Sequence, residues 1–180
     1  MSSTLFDTIN TPERREEAKR QQDVLREQHG SRLPQHPAQY KYGFGLARET
    51  QTADQLTALE RDGAASYGEA ALRARRFELY RQLGEAFASQ GRFQEAVTAA
   101  TEGRDEAARA VYAQYADALE KLDQGRECEC PESVTDPTPH SAMGVTRQTR
   151  TPIEEVFDGT RLIVFYRCSE CRTVSAELKS

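Results

Sequence analysis

Two cysteines stand at positions 128 and 130, inside RECECPES, and two more stand at 168 and 171, inside CSEC; the 180-residue chain has no others. This arrangement limits the fold more than any other feature. Thiols paired so closely act as metal ligands, redox couples or disulfides, and most of those roles tie a point near residue 129 to a point near residue 170. In extended backbone, residues i and i+2 point the same way, so Cys128 and Cys130 can both reach one ion. A tight turn lets Cys168 and Cys171 do the same. Four thiolates then close a tetrahedral site, which suits a structural Zn²⁺.

The expected compartment supports ligands over disulfides. The N-terminal MSSTLFDTINTPERREE lacks the charged and apolar regions of a secretory signal. No apolar run approaches the length of a membrane span. A reducing setting is therefore expected, either the cytoplasm or a virion assembled there, and in it paired cysteines are more often metal ligands. Other readings stay open at this level. Two disulfides satisfy the same count, His140 could replace one cysteine, and iron also accepts four thiolates. A redox CxxC would need a thioredoxin-like βαβ setting, which the sequence does not offer.

Composition explains why a metal would be needed. Hydrophobic residues make up 37% and charged residues 29%, with no tryptophan. Core material is thin, and a small module with little core needs a staple or a partner. Residues 126–180 carry 7 basic and 9 acidic groups, and residues 53–125 carry 9 and 13. Neither segment has the positive surplus that phosphate binding requires, so nucleic acid is not favoured as a partner.

Three segments follow from the pattern: 1–52, 53–125 and 126–180. In the first, Thr11-Pro12-Glu13 starts a helix that runs to about His29 and stops at Gly30. It is polar nearly all round, so it is either solvated or held by another chain. Residues 31–52, broken by prolines and glycines, read as an extended arm with Tyr40, Tyr42 and Phe44 on one face, either a loop packed on its own helices or an arm that docks in a neighbour's groove. In the second segment, 53–62 is a short helix closed by Gly63, and Ser66-x-x-Glu69 reads as a capping box. Leu72, Phe77, Tyr80, Leu83 and Phe87 then recur at helical spacing up to Gly91. A second long helix, from Phe93 to about residue 123, completes an antiparallel helical hairpin. In the third segment, 131–152 is loop-like. Ile153–Phe157, a two-residue turn at Asp158-Gly159 and Leu162–Tyr166 form a β-hairpin, and TVSAEL adds a third strand. The fold class is α+β.

Two resemblances add to this. Tyr80, Leu83-Gly84, Phe87, Gly91 and Glu95-Ala96 fall at the spacings of the tetratricopeptide repeat, over about residues 77–110. The resemblance implies a close approach of two helices at Gly84 and Ala96. Gly103 inside the second helix and Ala108 in place of proline depart from that pattern, and a single copy implies a lone hairpin. The second resemblance covers residues 126–180: a strand, a CxxC turn and a returning strand are similar to a zinc ribbon. It implies Cys128, Cys130, Cys168 and Cys171 as the ligands of one Zn²⁺. Here CxC replaces one CxxC, and Arg172 stands where a glycine commonly follows the second cysteine.

No catalytic constellation is present. HExxH, a phosphate loop, a dinucleotide fingerprint and a nucleophile elbow are all missing. Glu154 and Glu155 are expected on opposite faces of a strand, and His29, His36 and His140 in loops or at a helix end. No catalytic and no cofactor-binding residue is assigned. The expectation is a non-catalytic structural or assembly protein with protein partners or self-assembly, docking through arm and helices; tailed-virus particles use small proteins of this kind. The alternative is a zinc-ribbon adaptor of transcription or RNA machinery, with Arg147, Arg150, Arg161, Arg167 and Arg172 along one face and Phe165 or Tyr166 between them.

Overall fold

In the computed structural model, residues 11–29, 36–138 and 141–179 are described. Helix α1 spans Pro12–His29. Its start is the expected one, with the Thr11 hydroxyl accepting from the Arg14 N–H at 3.4 Å. Helix α2 then runs for 30 residues, Pro37–Ser66.

Helix α2 corrects the expected arm. His36 caps it, its Nδ1 accepting from the Ala38 N–H at 3.1 Å, and Pro37 takes the first helical position. The alternation of Tyr40, Tyr42 and Phe44 that suggests a strand is resolved differently on a helix. Tyr40 and Phe44, one turn apart, meet outside with ring centroids at 5.0 Å. Tyr42 turns inward, is 4% exposed, and donates to Gln21 Oε1 of α1 at 2.8 Å. Gly45 does not break the helix. A Cβ there would sit 2.8 Å from the Ala86 carbonyl oxygen, so the glycine lets two helices cross closely.

Helix α3 is Glu69–Ala88. The capping box does not form: Ser66 is the last residue of α2, its hydroxyl donates to the Asp62 carbonyl, and Gly68 is the N-cap of α3. Leu79, Tyr80, Leu83 and Phe87 are buried, whereas Phe77 is exposed. The expected long second helix is two helices, α4 (Phe93–Gly103) and α5 (Glu106–Asp123). Arg104 takes a left-handed conformation, φ 58°, and Asp105 caps α5 by accepting from the Ala108 N–H at 3.0 Å. Gly103 is needed where it stands, since a Cβ would lie 2.8 Å from Tyr80 Cβ. The boundary expected at 52/53 falls inside α2, and that at 125/126 just past the end of α5.

Five strands follow. Strands β1 (Ser133–Thr138) and β2 (Ser141–Gln148) form an antiparallel hairpin where a loop was expected. Strands β3 (Arg150–Phe157), β4 (Leu162–Cys168) and β5 (Val174–Leu178) form an antiparallel sheet with β4 in the centre. The third strand falls where TVSAEL placed it. The β3–β4 turn is shifted by one residue. Asp158 N donates to Arg161 O at 3.1 Å, so Gly159 and Thr160 are the central residues, with Gly159 at φ 99°. Asp158 Oδ1 accepts from the backbone N–H groups of Thr160 and Arg161 at 2.9 and 2.7 Å.

Two larger cores hold these elements, beside a small cluster of Tyr42 and Leu46 with Phe157. The first unites Leu56 and Leu59 of α2 with Leu79, Tyr80, Leu83 and Phe87 of α3 and with Ala96 and Ala99 of α4. Ala96 is where α4 comes nearest to α3: a Cβ on Gly84 would sit 3.6 Å from the Ala96 carbonyl oxygen. The second core joins helices to sheet. Phe93, Ala116 and Ala118 pack against Val156, Ile163, Phe165, Val174 and Ala176. Phe93 and Tyr115 stack at 5.0 Å, and both meet Phe165 edge-on. The sheet thus completes its core with α5 rather than with a second sheet.

The tip of the β3–β4 hairpin is held by the helices. A Cβ on Gly159 would lie 2.8 Å from the Tyr42 hydroxyl oxygen, and one on Gly91 would lie 3.1 Å from Asp158 Cβ. Arg161 bridges the turn to the end of α5 through Asp123 at 2.8 Å. Glu154 and Glu155 pair with Lys41, and with His36 and Lys179, respectively. They dock the sheet on α2. Among the described residues, no helix is long and apolar enough to cross a membrane.

Candidate metal centre

Cys128 and Cys130 lie in the irregular stretch after α5. Cys168 ends β4, and Cys171 sits in the turn to β5. The fold brings all four together, with every Sγ within 4.8 Å of the others. All four are free thiols. A tetrahedral Zn²⁺ with bonds of about 2.3 Å sets its sulfurs roughly 3.8 Å apart. Cys128 Sγ and Cys171 Sγ stand at 3.8 Å. The donor set is four soft sulfurs at tetrahedral-edge spacing, so these residues fit a four-coordinate dication. His140, weighed as a substitute ligand, lies outside the described residues.

The turn from Cys168 to Thr173 is built to present two sulfurs. Cys168 N donates to the Thr173 carbonyl at 3.0 Å, closing the loop. Arg172 takes φ 59°, so the position after the second cysteine has the left-handed backbone that favours glycine. The absent glycine therefore leaves the geometry in place and adds strain to it. The Thr173 hydroxyl lies 2.9 Å from Cys171 Sγ. Hydrogen bonds from that hydroxyl and from the Thr173 backbone lower the Cys171 pKa to about 6. Cys130 is pushed up to about 12, because its thiol hydrogen-bonds to Cys171 and then to Cys128. Cys128 is raised, first by burial. Ion-free, the cluster thus carries one readily formed thiolate, and a dication would displace protons from the rest.

Two residues outside the cysteine motifs fix the pairs relative to each other. Thr149 is fully buried between β2 and β3. Its N–H donates to the Glu132 carbonyl at 2.9 Å, its hydroxyl donates to the Pro131 carbonyl, and its own carbonyl accepts from Ser169 N at 2.7 Å. One side chain and its backbone thereby tie the stretch after Cys130 to the turn after Cys168. Arg150 donates to the Cys128 carbonyl and to Glu177 Oε1, both at 2.8 Å. Its Nε is buried without a partner. The cation stands close to a centre that four thiolates would make about −2 overall. Nothing in the local sequence pattern marks these roles of Thr149 and Arg150, because their partners are backbone groups and, for Arg150, a glutamate twenty-seven residues on.

Three of the five arginines considered as a basic face are paired with carboxylates. Arg147 pairs with Asp136 and Glu170, Arg150 with Glu177, and Arg161 with Asp123 and Asp158. Phe165, expected between them, is in the core. No protein-family model, no curated protein and no solved structure matches this chain.

Proposed function

We propose that Cys128, Cys130, Cys168 and Cys171 hold one Zn²⁺ in a closed structural site, in the manner of a zinc ribbon. We further propose that the chain is a non-catalytic structural or assembly component whose helices dock in a larger complex. The observation that carries the reading is the convergence of four sulfurs within 4.8 Å. Such a site leaves no position for a substrate water, so its role is mechanical. When bound, the ion would cross-link the stretch after α5 to both ends of the β4–β5 turn. Thr149 and Arg150 hold the backbone that carries the ligands, and Arg150 offsets part of their charge.

The docking part rests on exposed apolar side chains. Tyr40, Phe44, Phe77 and Val111 stand out from the helices at 42–61% exposure. The pairing of Arg147, Arg150 and Arg161 with carboxylates supports this reading over an adaptor on nucleic acid. Native mass spectrometry beside a denatured control tests both parts. One zinc per chain, lost on denaturation with four free thiols, is expected. A deficit of four hydrogens without metal would mean two disulfides and would overturn the site.

A further inference from the structure

Strand β5 is an edge strand, and half of its backbone groups have no partner. Cys168 N donates to Thr173 O, and Lys179 N donates to Leu162 O. The period of two then turns the groups of Thr173, Ser175, Glu177 and Lys179 toward β4, and those of Val174, Ala176 and Leu178 outward. Among the described residues nothing pairs with that outward row.

The row borders a cleft of about 790 Å³. Val174, Ser175 and Ala176 line one side, the 125–130 stretch lines the other, and Ala118 and Lys121 of α5 contribute between them. Three consecutive strand residues line it, whereas one face of a strand offers only alternate ones, so the cleft follows the edge. Leu178, 54% exposed, continues the row.

The charge of the cleft selects its occupant. Glu127 and Glu129 line it and form no ion pair with any described residue. Lys121 is already matched by Asp117 at 2.6 Å. That leaves Arg126 against two carboxylates. We propose that the outer edge of β5 takes up an extended peptide segment of a partner protein as an added strand, with a lysine or arginine of that segment beside Glu127 and Glu129. Main-chain hydrogen bonds to Val174, Ala176 and Leu178 supply the affinity, and the acidic wall supplies the preference. This deepens the assembly reading and rests on it.

The test uses the ¹⁵N-labelled full chain and the synthetic peptide Lys-Thr-Val-Lys-Val-Thr-Lys, with glutamate replacing lysine in a second peptide. The basic peptide is expected to shift amides of residues 126–130 and 173–178 saturably and to slow hydrogen exchange at Val174, Ala176 and Leu178. The acidic peptide, or the doubly substituted E127K/E129K chain, is expected to bind about tenfold more weakly. No shift at millimolar peptide, or equal binding of both peptides, overturns the proposal. So does slow exchange of those three amides in the free chain. Concentration-dependent shifts without peptide would assign the edge to a second copy instead. Metal content of the same sample reads the site separately: full metal without peptide shifts sinks the edge and leaves the staple standing, and peptide shifts without metal do the reverse.

Discussion

Arg150 reaches across from the start of β3 and donates through Nη2 to the carbonyl of Cys128 at 2.8 Å. Its other terminal nitrogen holds Glu177 of β5. One half-buried cation thus joins the first cysteine of the cluster to the strand after the last. Arg150→Ala removes both bonds and leaves the Glu177 carboxylate without its partner. A loss of about 2–3 kcal/mol in urea unfolding is expected, as for hydrogen bonds to charged groups. Faster zinc loss to a chromogenic chelator should accompany it. A stability change below the error of the melt, with unaltered zinc release, would show the contact to be incidental.

Thr149→Val keeps the shape and both backbone bonds but deletes the hydroxyl that donates to the Pro131 carbonyl. The acceptor is then buried without a donor, which costs about 1–3 kcal/mol. Thr149→Ser should recover most of the loss. Thermal melts of the three proteins decide the matter, since equal melting of the valine and serine forms would remove the hydroxyl from the account.

Arg172 stands in left-handed backbone at φ 59°. Glycine has no steric cost there, whereas other residues carry about 1–2 kcal/mol. Allowing for the greater freedom of glycine in the unfolded chain, Arg172→Gly should stabilise by roughly 0.5–1 kcal/mol. Arg172→Val should destabilise. The opposite order in chemical denaturation would mean that the turn is shaped differently in solution.

Stripping the metal should act unevenly. The core of α2, α3 and α4 contains no residue from the cysteine module. Helical circular dichroism is therefore expected to survive a strong chelator largely intact. Amide exchange should quicken at residues 128–132 and 168–173, where only a few hydrogen bonds, those of Thr149 and Arg150 among them, remain to hold the backbone. Complete loss of helix, or no change at the cysteines, would contradict the division.

Asp158 offers a pH readout. Burial alone would raise its carboxyl, but hydrogen bonds from the backbone and side chains of Arg161 and Thr160 outweigh it and leave the pKa below the usual 3.8. A depressed folded value means that the stabilisation is complete above the unfolded pKa and fades as pH falls through the folded one. Asp158→Asn should therefore cost about 1 kcal/mol at neutral pH. The gap should narrow below pH 3.8. A gap constant across that range would assign the effect to shape alone.

The cysteine cluster was legible because its spacing is local. CxC and CxxC each place two sulfurs together whatever surrounds them, and only the meeting of the pairs needs the fold. Helix α3 was legible from its stripe, although Leu79 was missed and Phe77 lies outside. Helix α2 was not, for a definite reason: Tyr40, Tyr42 and Phe44 have the period of a strand, and Gly43 and Gly45 read as breakers. The contacts that give Gly45 its purpose come from Ala86, forty-one residues on in the chain. The break at Arg104 was hidden because Gly103 answers to Tyr80 in another helix. Strands β1 and β2 escaped because β1 contains Pro137, and Thr135 and Asp136 before it are polar and exposed. Thr149 bonds to backbone atoms, and Arg150 to a backbone carbonyl and to Glu177 far along the chain, which leave no trace in local side-chain spacing.

A hairpin tip is ordinarily where a chain tolerates lengthening or reopening. The tip at Gly159-Thr160 is different, because Tyr42 closes on it from α2 and Gly91 from the α3–α4 turn. An epitope inserted there, or new termini made by circular permutation, would push apart the helices and the sheet together. The most turn-like tetrapeptide of the chain, DGTR, is thus the one least suited to carry foreign sequence.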